Sequence, residues 1–145
     1  MCCDIFDLPD VGHFSCAVSN PPFGRTARSG RSPRYHGGRF EYHVIDVASD
    51  LADYGVFLIP QESTPFRYSG KRGFSQVPED RIPEYREFRR RSHIEFEMNC
   101  GVDTSQYRDD WDGVAPTTEI VITDFKAARD RRVVGLSAEL FARTD

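Results

Sequence analysis

Short apolar runs with two different periodicities alternate along the first part of the chain. Residues 14–19 are mostly small and apolar and stop at Asn20-Pro21-Pro22, which is typical of a buried parallel strand that runs into a loop. Between residues 40 and 53 apolar side chains recur at helical spacing, and Gly55 follows where a left-handed residue would end the helix. Residues 56–59 are continuously apolar, as in a central strand buried on both faces. Strand, helix and strand predict a β-α-β unit.

The remaining segments show weaker patterns. Residues 25–39 are rich in Arg, Ser and Gly and lack apolar periodicity, which predicts a mobile loop. Residues 84–91 predict a short, strongly charged helix. Apolar and polar residues alternate over 94–98, and residues 119–125 resemble a second strand, so the two are candidates to pair as neighbours. After a basic run, residues 137–143 predict a short terminal helix.

Composition bounds the class of protein. The 145 residues, 39% hydrophobic and 29% charged, fit a single folded domain, which we place at residues 1–125 with a C-terminal tail at 126–145. No apolar stretch is long enough to span a bilayer and the first residues are acidic, so we expect a cytoplasmic protein without membrane contact. The four cysteines are scattered, and the acidic residues near 109–112 lack calcium-loop spacing. We therefore expect no metal.

Charge is distributed unevenly along the chain. The formal net charge of -4 does not indicate a general nucleic-acid binder. Locally, however, Arg25, Arg28, Arg31 and Arg34 lie in a stretch without acidic residues, directly after the Asn-Pro-Pro sequence. This loop is the expected place for contacts with a polyanion, although a solvated flexible loop is the simpler interpretation.

Asn20, Pro21, Pro22 and Phe23 form the sequence with the clearest chemical meaning. A rigid polar loop at the carboxyl edge of a sheet lies where open α/β proteins bind ligands. Two prolines fix the backbone, so that the Asn20 side-chain oxygen and a nearby carbonyl can act as prearranged acceptors for a flat NH2 group. Phe23 would stack on the attached ring, a contact worth roughly 1–3 kcal/mol for a base. The exocyclic N6 of adenine fits this description.

The Asn-Pro-Pro-Phe sequence resembles the motif of the N6-adenine-specific DNA methyltransferases. The similarity runs from Asp4 to Phe125 and includes Phe40-Glu41-Tyr42-His43, Gly55-Val56-Phe57-Leu58-Ile59-Pro60 and the stretch that leads to Trp111. The resemblance implies methyl transfer from S-adenosylmethionine to a flipped adenine in DNA. Asn20 and Pro21 would bind the amine, and Asp4 would contact the adenine of the donor.

The same resemblance implies a partial Rossmann-like α/β fold. It would have three αβα layers and a mostly parallel sheet with a C-terminal antiparallel hairpin. The family's upstream strand and glycine-rich turn, which hold the donor, have no counterpart here, so we expect the N-terminal strands to be missing. The strand before Asn20 would then expose an apolar edge, which invites aggregation or pairing with a complementing protein chain.

Two alternatives remain open at this stage. Within the same fold, the acceptors would equally suit another planar amine or amide, such as a protein glutamine or an RNA guanine. From a different class, the chain would be a truncated, inactive methyltransferase-like protein that binds nucleic acid or a partner. Tyr107 and Trp111 are candidates for a stacking platform, although such aromatic residues more often pack a loop onto the core.

Overall fold

A computed structural model describes residues 2–97, 101–114 and 116–142, with side chains up to residue 138. Its regular elements are β1 (Phe14–Ser19), α1 (Phe40–Leu51), β2 (Ala52–Pro60), β3 (Phe66–Arg67), β4 (Ser75–Gln76), α2 (Pro83–Ser92), β5 (Thr118–Asp124) and α3 (Phe125–Ala142). Short 3-10 helices lie at Gln61–Ser63, Glu79–Arg81 and Thr104–Asp110. None of the helices described is both long enough and apolar enough to cross a membrane. The chain is a mixed α/β protein.

A three-stranded sheet with the order β1-β2-β5 forms the centre of the fold. β1 runs parallel to β2, with Ser19 opposite Phe57, and β5 runs antiparallel to β2. The predicted β-α-β unit is therefore confirmed, and β1 is an edge strand of this sheet. Because β1 ends at Ser19, the Asn-Pro-Pro loop leaves the sheet at its carboxyl edge.

One face of the sheet carries the aromatic core. Phe57 and Ile59 of β2 belong to one buried cluster with side chains of all three helices, among them Tyr42 and Phe88. The Tyr42 and Phe88 rings stack with centroids 4.7 Å apart. Since α1, α2 and α3 all pack into this cluster, the described residues form two layers, and the predicted third layer is not found among them.

The opposite face of the sheet is only partly covered. Val56 and Leu58 of β2 and Ile120 of β5 are half-buried, while Val18 of β1 is 77% exposed. The prediction that β2 is buried on both faces is thus wrong for the described structure, because helices cover one side only. We call this surface the open face.

Gly55 does not end α1, contrary to the prediction. The helix passes directly into β2 at Ala52, which has an extended backbone, and Gly55 lies inside the strand. A Cβ atom at Gly55 would lie 2.4 Å from Phe57 Cε2 and 2.6 Å from Thr123 Oγ1. The glycine is needed for close packing on the helix-covered face, where no side chain fits.

The predicted strand at residues 94–98 does not form a ladder in the residues described. Its alternation is real, since Ile94 and Phe96 are buried. However, the Ile94 amide donates to Ser92 Oγ and the Phe96 amide to Tyr85 Oη, so these amides are used by side chains rather than by a neighbouring strand. A single bridge joins Glu97 to Ile122, and Met98 lies outside the described residues. β5 therefore pairs with β2 instead of forming a C-terminal hairpin.

The two last helices differ in how well the sequence predicts them. The charged helix expected at residues 84–91 is confirmed as α2. The basic run and the short terminal helix are instead one continuous helix, α3, which begins at Phe125. Ala128 is buried in the core, and Arg129 donates to the carbonyl oxygens of Ser49 and Ala52 at 2.8 Å. The first turns of the expected tail thus pack against the domain.

Candidate functional site

The Asn-Pro-Pro loop borders a large cavity. The cavity has a volume of about 700 Å³, within the range typical of small-molecule sites, and opens to solvent. Asn20 lies on its wall, and Val56, Leu58 and Ile120 of the open face form its apolar floor. The Asn20 side chain is exposed and makes no hydrogen bond with any described residue, so its oxygen and its NH2 group remain available to a ligand.

A buried carboxylate fixes the end of the Asn-Pro-Pro-Phe-Gly sequence. Gly24 has φ +74°, a conformation that favours glycine, and its amide donates to Glu41 Oε2 at 2.8 Å. The carbonyl of Gly24 accepts a hydrogen bond from the Phe40 amide at the start of α1. Glu41 is fully buried and also accepts a hydrogen bond from the Ser63 hydroxyl. The loop is thereby attached to α1 and to the turn after β2.

Glu41 has no role in the sequence analysis beyond its place in a resembling block. The sequence signal was an acidic residue in the first turn of α1, which is normally explained by the helix dipole. Its burial, and with it the contact to Gly24, depends on tertiary packing.

A second wall of the cavity comes from the segment before β5. Tyr107, Asp110 and Trp111 line the cavity at the end of the 3-10 helix Thr104–Asp110. Thr104 anchors the start of this segment, because its hydroxyl donates to the Thr118 carbonyl at 2.7 Å and its amide donates to Ser69 Oγ at 3.0 Å. Two aromatic rings are thus placed over the open face.

Glu119 holds the neighbouring turn against β5. Its carboxylate is fully buried and accepts hydrogen bonds from Gln61 Nε2, from the amides of Tyr68 and Ser69, and from the Ser69 hydroxyl, all at 2.6–2.9 Å. Because Ser69 also contacts Thr104, this network joins residues 61–69, the segment with Trp111, and β5. No pattern in the sequence predicts this network.

Phe23 is placed differently from Asn20. It is not among the residues that line the Asn20 cavity; instead it borders a second cavity of about 510 Å³ together with Gly24, Arg67 and Thr117. The Phe23 ring contacts Trp111, with centroids 5.8 Å apart and planes tilted by 44°. Trp111 therefore lies beside Phe23 and also lines the Asn20 cavity.

Asp4, the expected donor contact, lies on a different part of the surface. Its carboxylate accepts hydrogen bonds from the Ser29 hydroxyl and from the Phe6 amide, and these bonds lower the pKa of Asp4 below its usual value. Phe6 in turn packs against Phe40 and His43 of α1. Asp4 is not among the residues that line the Asn20 cavity. The structure does not bring Asp4 and Asn20 to one cavity.

The arginine loop is irregular, as predicted, but several of its side chains are anchored. Arg34 forms ion pairs with Asp46 and Asp50 at 2.6 and 2.8 Å, and Arg28 donates to the Gly37 carbonyl. Arg25 is 79% exposed, with Glu84 3.7 Å away. Arg31 is exposed and makes no ion pair with described residues. Of the four arginines, Arg25 and Arg31 are placed most openly for a phosphate group.

Compared with known proteins, the chain matches no family model, no curated protein and no solved structure. The chemical interpretation of the site therefore depends on its own geometry. That geometry combines an unpaired amide, an apolar floor, two aromatic rings and one carboxylate around a single opening. Such a set suits a flat, largely apolar ring that carries polar groups along its edge.

Proposed function

We propose that this protein transfers a methyl group from S-adenosylmethionine to the N6 amine of adenine in DNA. The observation that carries the proposal is the exposed Asn20 side chain, which has no hydrogen-bond partner among the described residues and lies on the wall of a 700 Å³ cavity. An amide committed to the neighbouring backbone, or a closed surface at this point, would contradict the proposal. The resemblance of the Asn-Pro-Pro-Phe sequence adds support.

The chain's own contribution to this reaction is binding and orientation. Hydrogen bonds from N6 to the Asn20 oxygen and to the Pro21 carbonyl would weaken conjugation of the amine lone pair with the ring. The donor, when bound, would supply an electrophilic methyl group and keep the electron pair of the broken carbon–sulfur bond. The N6 lone pair would form the new bond to the methyl carbon, and the N6 proton would pass to water in the open cavity. Because the amine attacks directly, proximity and polarisation replace a covalent enzyme intermediate.

The acceptors need a rigid support for this role. Glu41 and the Phe40 amide hold the two sides of Gly24, and Pro21 is buried, so the loop has little freedom to collapse onto its own polar groups. Preorganised polar groups stabilise a developing charge without a reorganisation cost at the moment of reaction. The donor contact expected of Asp4 stays a prediction, and Asp4 is not among the residues that line this cavity.

The first experiment measures methyl transfer directly. The purified protein is incubated with labelled S-adenosylmethionine and adenine-containing DNA, and N6-methyladenine is quantified by mass spectrometry. We expect Asn20→Ala to reduce the rate by about 100-fold or more, as loss of one preorganised polar group typically does. Thr26→Ala, which changes an exposed side chain in the following loop, is the matched control and should leave the rate unchanged.

Parallel substrates separate this function from its rivals. An RNA and a protein rich in glutamine are offered under the same conditions, and transfer to either in preference to DNA would replace adenine with another planar amine or amide. Transfer to no substrate, combined with binding of DNA, would favour a nucleic-acid-binding protein without activity. Equal rates for Asn20→Ala and the unchanged protein would remove the proposed role of this side chain.

A further inference from the structure

Phe23 and Trp111 are both candidates to stack on a bound base, and they line different cavities. Phe23 follows Asn20-Pro21-Pro22 directly, yet it borders the cavity around Arg67 and Thr117. Trp111 is distant in the chain, yet it lines the same cavity as Asn20. A ring that places its amine on Asn20 therefore shares a cavity with Trp111 rather than with Phe23.

The gap between the two rings is too small for a third ring. Aromatic carbon atoms in contact are about 3.5–4 Å apart, so a base held between two rings needs a separation of roughly 7 Å or more. The Phe23 and Trp111 centroids are 5.8 Å apart. A base cannot enter between them as they stand, and Phe23 instead supports the side of Trp111.

From this arrangement we infer that a purine base binds in the Asn20 cavity by stacking on Trp111, with Phe23 as the support behind that ring. The inference rests on the proposed function, because it takes the adenine amine to be the group held by Asn20. Tyr107, which is 53% exposed, extends the aromatic wall, and Val56 and Leu58 offer an apolar floor beneath the base.

Polar groups around the cavity favour a purine with an exocyclic amine. Asn20 offers an oxygen acceptor on one wall, and Asp110 offers a carboxylate on the wall that also carries Trp111. Both accept hydrogen bonds, so an N–H-bearing ring edge is matched. Arg25 and Arg31, exposed in the loop that follows Gly24, supply positive charge for a nucleic-acid backbone on the same stretch of chain.

Hydrogen bonds fix the start of the segment that carries Trp111. Asp103 accepts hydrogen bonds from the Ser105 and Gly70 amides, and Thr104 is joined to Ser69 and Thr118. Trp111 therefore belongs to a segment that is already anchored before a ligand binds. This anchoring reduces the conformational entropy lost when a base stacks on the indole ring.

Trp111 is the only tryptophan of the chain, so its fluorescence reports on this cavity alone. The protein is titrated with a short single-stranded oligodeoxyadenylate while the emission is recorded. We expect saturable quenching, because a stacked base perturbs the indole directly. An oligonucleotide of the same length with abasic sites in place of the bases should produce less than a third of this change. Equal quenching by both would overturn the inference, as would the absence of any quenching.

Three variants then assign the stacking ring. Binding of the labelled oligodeoxyadenylate is measured by anisotropy for Trp111→Leu, Trp111→Phe and Phe23→Leu. We expect Trp111→Leu to weaken binding by roughly 5- to 150-fold, the range that loss of one stacked base contact produces. Trp111→Phe should recover part of the loss, and Phe23→Leu should weaken binding by less than about 5-fold. A larger effect of Phe23→Leu than of Trp111→Leu would overturn the inference.

Folding and function are controlled separately. Thermal unfolding of each variant identifies any loss of binding that comes from loss of structure, and Trp111→Phe retains the ring if Trp111→Leu unfolds the segment. Base-dependent quenching without methyl transfer would contradict the proposed function and keep this inference. Methyl transfer whose KM for DNA rises in Phe23→Leu but not in Trp111→Leu would keep the function and reject the inference.

Discussion

The two faces of the central sheet differ in how completely other residues cover them. The helix-covered face holds Phe57 and Ile59 within a cluster of tightly packed aromatic rings, and the buried Glu41 carboxylate accepts a hydrogen bond from Ser63. The open face holds Val18 and Val56 beside a cavity whose Asn20 amide has no partner in the described structure. Buried apolar packing is concentrated on one side, and an open cavity lies on the other.

This division explains how an unpaired amide is tolerated. An unsatisfied polar group costs little where water reaches it, and the free energy of folding comes from apolar burial elsewhere. The connection between the faces runs through the ends of β1 and β2, where Gly24 and Ser63 both contact Glu41. Substitutions on the two faces should therefore differ sharply in their effects on stability.

The largest difference is expected between Phe88→Ala and Val18→Ala. Phe88 is fully buried and contacts Tyr42, so its truncation should lower the free energy of unfolding by about 3–5 kcal/mol. Val18 is 77% exposed, and its truncation should change that free energy by less than about 0.5 kcal/mol. Urea denaturation measures both. Comparable losses for the two variants would mean that the open face is packed in solution.

A smaller difference in the free energy of unfolding is expected when one side chain on each face is enlarged by one carbon atom. Gly55→Ala places a methyl group against Phe57 and Thr123 and should destabilise the protein by about 1–3 kcal/mol. Val56→Ile, the next residue of β2, extends a half-buried side chain towards the cavity and should be tolerated within about 0.5 kcal/mol. The same denaturation measurement applies. A tolerated Gly55→Ala would show that the rings on the helix-covered face have room to move.

The smallest expected effect is a pH dependence from the helix-covered side. His43 is fully buried, its Nδ1 accepts the Ser32 amide, and its Nε2 donates to the Gly37 carbonyl. Burial lowers the pKa of His43 below its usual value of 6.5. The unfolded chain then binds a proton before the folded one does, so this stabilisation is present above pH 6.5 and is lost as the pH falls towards the folded pKa.

Denaturation at several pH values between 5 and 8 tests this expectation. The unfolding midpoint should decrease as the pH falls below 6.5, and His43→Gln should remove most of that slope while the exposed His36→Asn should retain it. An unchanged slope in His43→Gln would assign the titration to another group.

Sequence periodicity predicted which helices and strands form better than it predicted how each of them is buried. β1, α1 and β2 follow from apolar spacing, and α2 follows from its charged helix-forming residues, because each depends mainly on local pattern. The covering of only one sheet face could not be read from residues 56–59, since a continuous apolar run is compatible with burial on either or both sides. For residues 94–97, competition from the Ser92 and Tyr85 hydroxyl groups prevented the expected ladder.

The candidate site divides in a similar way. The position of Asn20 at the end of β1 was predictable, because a strand followed by two prolines must leave the sheet there. The separation of Phe23 from the Asn20 cavity was not, since adjacent residues in an irregular loop can face different sides. Glu41 and Trp111 reach this region through tertiary packing alone, which no local spacing encodes.

Glu119 joins several of the regions that surround the cavity through hydrogen bonds. Its buried carboxylate accepts hydrogen bonds from Gln61, Tyr68 and Ser69 at once, and loss of any one of these hydrogen bonds should cost roughly 1.5–3 kcal/mol. Amide protons of Tyr68 and Ser69 should then exchange with solvent only when β5 separates from its neighbours as a unit. We therefore expect the turn at residues 61–69 and the start of the segment with Trp111 to open together with β5 rather than one contact at a time.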